Sequence, residues 1–235
     1  MIAVVTSCIY PVAKIDNEKR SYISLSEREK QTIRSIAELV KTGFSQIIIV
    51  DNAAVDYNFS TIKALAPHIV VVKFKQYQFQ NKGINELLML LAIVDELPED
   101  EVIFKLSARY FPNQHFSKEF NPNFDFQVKG YDFYQKRGTI STRAYFVKNK
   151  TFFEDFLLKT LNEVFLYPQR IVGLRSLTNI FSSIFKPSFA PRFNTSIEFA
   201  AARVLKNEKY NVKLVNSIGI QGIVAGSDLN SQIIE

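Results

Sequence analysis

Four stretches of this sequence gather side chains able to hold a polar, phosphorylated ligand: Thr6-Ser7-Cys8-Ile9-Tyr10, Asp51-Asn52, residues 76–83, and Ser107-Ala108-Arg109-Tyr110. They supply hydroxyls, a carboxylate, amides, a Lys82-Gly83 helix start and an arginine. Each follows a short apolar run with the pattern of a buried strand. In open parallel sheets, ligands bind beyond the carboxyl ends of the strands, so these four stretches would converge on one rim. Such an inventory suits a nucleotide with a diphosphate, with polar groups for base and ribose and a cation for phosphate. Polar residues also fill ordinary turns, and position alone leaves both readings open.

The elements that must position these residues alternate along the first half of the chain. Residues 2–6 read as a buried strand. Residues 26–40 read as an amphipathic helix with Ile33, Ile36, Ala37 and Val40 on one face, Ser26 as its N-cap with Glu29 three residues on, and Gly43 ending it. Residues 46–50 form a β-branched strand closed by Asp51-Asn52, and residues 69–74 a third strand. A helix over 83–97 and a strand over 102–106 follow. Strands alternating with helices at this rhythm imply a right-handed, mostly parallel sheet with helices on both faces, an α/β fold. From about Tyr110 the rhythm breaks. Residues 113–134 read as irregular structure with short strands, 142–147 as a strand, 152–164 and 196–206 as helices, and 212–215 as a strand. Residues 171–185 carry apolar side chains at helical spacing. No repeat, low-complexity tract or linker interrupts the chain, so one domain is expected.

Composition narrows the function classes. Hydrophobic residues make up 47% and charged residues 22% of the 235, which excludes a disordered chain. The single cysteine excludes an intramolecular disulfide, and with two histidines it leaves no zinc site of those ligands. Cys8 fits a small buried hydrophobe as well as a nucleophile, and His68 and His115 have no patterned partner. The glycine-rich patterns of dinucleotide enzymes and P-loop NTPases are absent, as is the G-x-S-x-G elbow of α/β-hydrolases. A net charge of +6 favours an anionic partner. With no positively charged leader and no apolar run near the ~20 residues of a spanning helix, a cytoplasmic protein is expected.

The order Val4-Val5-Thr6-Ser7, Ser26-x-Arg28, Gln31-Thr32-Ile33-x-Ser35-Ile36 and Ile47-Ile48-Ile49-Val50-Asp51-Asn52 resembles the opening of nucleotide-sugar glycosyltransferases of the GT-A fold. Asn81-Lys82-Gly83 with Glu86-Leu87-Leu88, then Ile103-Phe104-Lys105-Leu106-Ser107-Ala108-Arg109-Tyr110, is similar to bacterial GT-A-like enzymes with a Lys-x-Ser/Thr-Gly-Arg-Tyr segment. In those enzymes that segment occupies the sheet position of Asp-x-Asp. Ile197-Glu198 and Ile218-Gly219-Ile220-x-Gly222 fit the closing region of the same group. Ala108 departs from the pattern, standing where such enzymes carry glycine.

The resemblance implies a GT-A-like, Rossmann-like domain with a nucleotide-binding half over residues 1–110 and an acceptor-side half over 111–235. Its activity would be transfer of a sugar from a nucleotide-activated donor to a glycan or lipid-linked acceptor, in surface polysaccharide assembly. Thr6 and Ser7 would approach the nucleoside, and Asp51, with Asn52 beside it, would accept hydrogen bonds from base or ribose. Lys82 and Gly83 would face the nucleotide from a helix start, and Ser107 to Tyr110 would sit under the diphosphate. Glu198 is the implied general base, although a first-turn Glu is also an ordinary helix-dipole residue.

With no Asp-x-Asp, and with Glu99-Asp100-Glu101 falling before the fourth strand at the opposite sheet edge, a metal held in the usual way is not expected. Arg109, assisted by Lys105 or Lys82, would take its place on the phosphates, unless Arg109 only pairs with a carboxylate at the core edge. Arg170, Arg175 and Lys186 border the apolar stripe over 171–185. That pattern suits contact with the inner face of a membrane as well as packing on the core. A competing reading is a nucleic-acid-binding module, since aromatic and basic residues interleave over 73–82 and 126–137; a third is a catalytically inert protein of the same fold.

Overall fold

The computed structural model describes residues 1–11, 14–15, 18–19, 23–77, 79, 81–166, 195–223 and 232–235. The expected amphipathic helix over 171–185 lies outside the described residues. In chain order the elements are β1 (Ile2–Ser7), β2 (Lys14–Ile15), β3 (Glu18–Lys19), α1 (Leu25–Lys41), β4 (Gln46–Asp51), α2 (Ser60–Lys63), β5 (Ile69–Lys73) and α3 (Lys82–Leu91). They continue with β6 (Ile103–Ser107), β7 (Tyr110–Pro112), β8 (Phe126–Tyr131), β9 (Thr139–Val147), α4 (Lys150–Leu166), α5 (Ile197–Asn207), β10 (Val212–Val215), β11 (Ile220–Ile223) and β12 (Gln232–Ile234).

Seven strands form one sheet in the order β10-β8-β9-β6-β1-β4-β5, so both halves of the chain contribute to it. β1 runs parallel to β4 and β6, β4 parallel to β5, and β10 parallel to β8. Only β9 runs antiparallel, against both β6 and β8. The reason is connection length. Helix-containing crossovers return the chain in the same direction, whereas residues 132–138 join β8 to β9 as a hairpin. The rhythm of the first half therefore extends to β6, and the hairpin breaks it.

Buried on both faces, β1 and β4 are apolar through their middles, and β6 differs only by the buried Lys105. Along β1, Ile2 and Val4 face the side covered by α3, α4 and α5, while Ala3 and Val5 face the side that holds Ile36 and Leu39 of α1. The abundance of phenylalanine has a packing role. Phe44, Phe104 and Phe146 pack in succession with ring centroids 5.6 and 4.6 Å apart, and Phe116, from the Phe-rich segment after β7, leans on the same group. That segment, expected to hold short strands, contains the six-residue β8. Phe126 and Val128 of β8 point into the core.

Two boundaries differ from expectation. α1 is capped by Ser24, whose hydroxyl accepts from the Glu27 amide at 3.2 Å, so Ser26 lies inside the first turn. Ser24-x-x-Glu27 is the same capping signature as Ser26-x-x-Glu29, two residues earlier. α1 ends as expected, with Gly43 at a φ of 69°. α3 stops at Leu91, and a single 3₁₀ turn at Val94–Glu96 finishes the segment. Among the described residues no helix is long and apolar enough to cross a membrane.

A second, three-stranded sheet, β12-β11-β7, fixes the chain just past Arg109. Gly222 of β11 pairs with Tyr110. A Cβ at Gly222 would lie 2.4 Å from the Arg109 carbonyl oxygen, so only glycine lets the two backbones approach this closely.

Candidate functional site

A cavity opens where β1, β4 and β6 end. Its walls include Thr6, Ser7 and Cys8 after β1, Asn52 after β4, and Ser107, Ala108 and Arg109 after β6. Arg28 and Thr32 reach it from α1, and Lys82, Asn85 and Glu86 from α3. The fold thus brings Thr6, Ser7, Asn52, Lys82, Ser107 and Arg109 to one rim. It does so because consecutive parallel strands in register, Thr6 against Val50 and Ser107, end at the same level.

The other expected nucleotide-binding residues sit elsewhere, each for a local reason. Asp51 is buried, and each carboxylate oxygen holds a loop amide: one accepts from the Ile9 amide at 3.1 Å, the other from the Ala53 amide at 2.8 Å. It shapes the loops after β1 and β4 rather than facing the cavity. Asp51→Ala is therefore expected to lower stability by about 1–3 kcal/mol by orphaning these donors, read as a lower melting temperature. A variant that melts like wild type would show that the two loops hold their shape without it.

Gly83 does not offer its amide to an anion, because that N–H donates to the Asn81 side chain at 2.9 Å as part of the α3 cap. Its role is contact. A Cβ there would come 2.8 Å from Ile197, so Gly83 lets α5 pack on the start of α3. Tyr110 is a core residue whose hydroxyl accepts from Arg143 Nε at 3.1 Å.

Lys105 cannot assist Arg109. Its ammonium is buried, and its three donors go to Glu86, to Ser107 Oγ at 3.0 Å and to the Thr142 carbonyl at 2.5 Å. Burial holds Lys105 below the ordinary lysine value, while Glu86 and, more weakly, Glu198 act to raise it. Alternation along β6 explains the placement. Phe104 and Leu106 pack in the cluster on the α1 side, whereas Ile103 packs in the cluster with α3, α4 and α5, so Lys105 points toward the latter.

Glu198 does not line this cavity. It belongs to a second cavity over the β8–β9 end of the sheet, together with Lys129, Tyr131, Arg143 and Glu235. The Glu235 carboxylate is buried there, accepting from Ser141 Oγ at 2.7 Å and pairing with Arg143.

Two residues of this cavity stood in the motifs quoted from the sequence but were given no role in the site. Arg28 donates from Nε to the Cys8 carbonyl at 2.9 Å, clamping the loop after β1. Burial, and then the neighbouring Arg109 charge, hold its guanidinium below the ordinary arginine value, against the opposite effect of Cys8 and Asp51. Glu86 brings the one carboxylate among the described residues lining this cavity. Its Oε1 takes the Lys105 ammonium and lies 3.4 Å from both Thr6 Oγ1 and Ser107 Oγ. The available signal was helical spacing: Arg28 with Thr32, and Lys82 with Glu86, each lie one turn apart.

Cys8 is half-buried, with its sulfur 3.1 Å from Gln76 Nε2. His68 and His115 lie outside the residues named for the cavity. Among the described residues, no three of His, Cys, Asp and Glu gather where they could hold a metal ion.

Three buried polar atoms on this wall have no hydrogen-bond partner among the described residues: Ser7 Oγ, Asn52 Oδ1 and Arg109 Nη1. Arg28, Lys82 and Arg109 put three cations against the single carboxylate of Glu86. The arrangement is poised for a ligand that is anionic at one end and carries hydrogen-bonding groups at the other.

No protein-family model and no curated protein sequence matches the chain. Solved structures match it at low identity. The inositol-1-phosphate CTP transferase from T. maritima is 11% identical, with 91% of this chain and 84% of that one covered at a TM-score of 0.43. The nucleoside-diphosphate-sugar pyrophosphorylase from Vibrio cholerae RC9 is 8% identical, with 94% of each chain covered and a TM-score of 0.46. The glycosyltransferase GlyE of Streptococcus pneumoniae TIGR4 is 12% identical at a TM-score of 0.47, and the match spans 91% of this chain but 44% of GlyE.

Proposed function

We propose that the chain is a glycosyltransferase whose rim cavity binds the nucleoside diphosphate of a sugar donor and whose β8–β9 cavity receives a glycan or lipid-linked acceptor. The observation that carries this reading is the set of unpartnered buried atoms, Ser7 Oγ, Asn52 Oδ1 and Arg109 Nη1, around one cation-rich cavity. An unmet buried polar atom costs about 1–3 kcal/mol. A diphosphate on Arg109 with ribose or base on Ser7 and Asn52 would relieve all three at once.

In the transfer step, an acceptor oxygen attacks the anomeric carbon as the bond from that carbon to the diphosphate breaks. The bonding electrons leave with the diphosphate, where Arg109, beside Arg28, meets the growing charge. Glu198, in the acceptor-side cavity, takes the proton from the attacking hydroxyl. Surface polysaccharide assembly is the setting that such an acceptor suits.

The nucleic-acid reading fares worse on packing. Phe126 and Phe133 are core residues and the Tyr131 hydroxyl is tied to Glu235, which leaves Tyr134 as the one largely exposed ring of that segment. The aromatic and basic interleaving over 126–131 is the alternation of a half-buried strand.

A thermal-shift panel tests the proposal. One nucleoside diphosphate and its sugars are expected to raise the melting temperature saturably. A Glu198→Gln variant should keep that shift and lose about 10²–10⁴-fold in transfer. A preference for oligonucleotides that collapses with salt, or no shift with any nucleotide, would reject the donor site. Near-normal transfer by Glu198→Gln would remove Glu198 alone.

A further inference from the structure

Arg109 stands between two cavities. The second lies on its other side, against the middle of α1, where Lys30, Gln31 and Arg34 line it with Arg109 and Phe111. We propose that this is a separate binding site for a phosphate ester carrying a free hydroxyl, such as a sugar or polyol phosphate.

Three observations carry the inference. The Gln31 side chain has both its Oε1 and its Nε2 buried without a hydrogen-bond partner. A long amide that could turn outward instead sits in a wall with its donor and acceptor unmet, the signature of a group awaiting a ligand. Next, no carboxylate pairs with Lys30, Arg34 or Arg109 among the described residues, and Glu27 brings the opposing charge at the edge of the same cavity. Three cations against one carboxylate favour a phosphate. Finally, Arg34 is held in place, with its guanidinium carbon 4.0 Å from the centroid of the Phe111 ring. Stacking uses the face of the guanidinium and leaves its in-plane N–H edge for a fork on phosphate oxygens.

The amide refines the ligand class. Inorganic phosphate could satisfy the three cations and Gln31 Nε2, but it reaches Oε1 only by turning a P–OH of the phosphate itself toward the amide, since it has no separate donor. A hydroxyl on the esterified group supplies one. Glycerol 3-phosphate is therefore expected to bind more tightly than inorganic phosphate. The same phosphate-plus-hydroxyl chemistry occurs in free sugar phosphates and in the headgroup of phosphatidylglycerol.

Titration calorimetry with glycerol 3-phosphate on the whole chain tests the site. Lys30→Ala and Gln31→Leu should each weaken binding at least tenfold, and Arg28→Ala, in the other cavity, should leave it unchanged. Gln31→Leu gives up no hydrogen bond, so it should melt no lower than wild type; the loss of binding would then not be a loss of fold. Co-sedimentation with vesicles of phosphatidylglycerol, against phosphatidylcholine, identifies the source. Capture that Gln31→Leu abolishes assigns the site to lipid headgroups, whereas titration without capture assigns it to soluble phosphates. No binding by wild type, or binding lost in Arg28→Ala and kept in Gln31→Leu, would overturn the proposal. Arg109 lines both cavities, but Lys30 and Gln31 lie outside the rim cavity, so their variants separate failure of this site from failure of the donor reading.

Discussion

Replacement of Arg109 by alanine is expected to slow sugar transfer, or hydrolysis of the donor, by about 10²–10³-fold, the usual cost of losing one preorganised donor to a developing negative charge. The structure sharpens this expectation. Lys105, the cation nearest in sequence, has its donors committed to Glu86, Ser107 and Thr142 and cannot substitute. Arg28 is pinned by the Cys8 carbonyl and already opposes the Arg109 charge. Arg109 makes no ion pair among the described residues, so its removal should leave the melting temperature close to wild type. Lysine at this position should recover only part of the rate, since an ammonium lacks the two-pronged geometry.

The same reasoning has transfer persisting in excess EDTA, because two guanidiniums rather than two carboxylates flank the phosphate position. Activity abolished by EDTA and restored by Mn²⁺ would mean that a metal, drawn by Glu86, does this work. Arg109 would then be an accessory group.

The second large effect concerns stability. Glu86→Ala leaves the Lys105 ammonium buried without its counter-charge. Breaking such a pair costs about 3–5 kcal/mol. The Glu86 side chain is 23% exposed, which places this case at the lower end, about 3 kcal/mol. For a chain of this size, that corresponds to roughly 6–12 °C in melting temperature.

The deficit should shrink in alkaline solution. Burial already holds Lys105 below the ordinary lysine value, and removing Glu86 takes away the main influence opposing that shift. Between the lowered native value and the unfolded value near 10.5, the unfolded chain binds more protons. Stability therefore rises with pH through that window. Adding Lys105→Met to Glu86→Ala should recover part of the loss, because it removes the unpaired charge and leaves the Thr142 carbonyl as the group without its donor. A Glu86→Ala protein that melts with wild type at neutral pH, or a double variant no better than the single, would show that the pair contributes nothing to the fold.

Much of the architecture was legible from local pattern. Apolar runs, broken in β6 by Lys105 alone, marked β1, β4 and β6, and their ends marked the rim, because a parallel strand buried on both faces has to begin and finish in polar turns. Thr6, Ser7, Asn52, Ser107 and Arg109 follow from that alone, as does Lys82 from the start of α3. The Phe-rich middle was harder. Its one long strand, β8, pairs with a partner across a hairpin and has no helical rhythm beside it to announce it.

Which rim residues line the cavity was a different kind of question, and tertiary structure alone answered it. Asp51 and Lys105 have the right chemistry at the right strand ends, yet Asp51 is consumed by two loop amides and Lys105 by Glu86. Arg28 and Glu86 were passed over because they lie inside helices, where sequence gives the spacing of a face but not the direction in which it points. That direction depends on how α1 and α3 dock on opposite sides of the sheet, and docking is set by contacts between residues distant in the chain. Sequence determined the level of the site along the strands through a two-residue alternation. The inventory inside it was decided by helix rotation and by which buried donors and acceptors had already found one another.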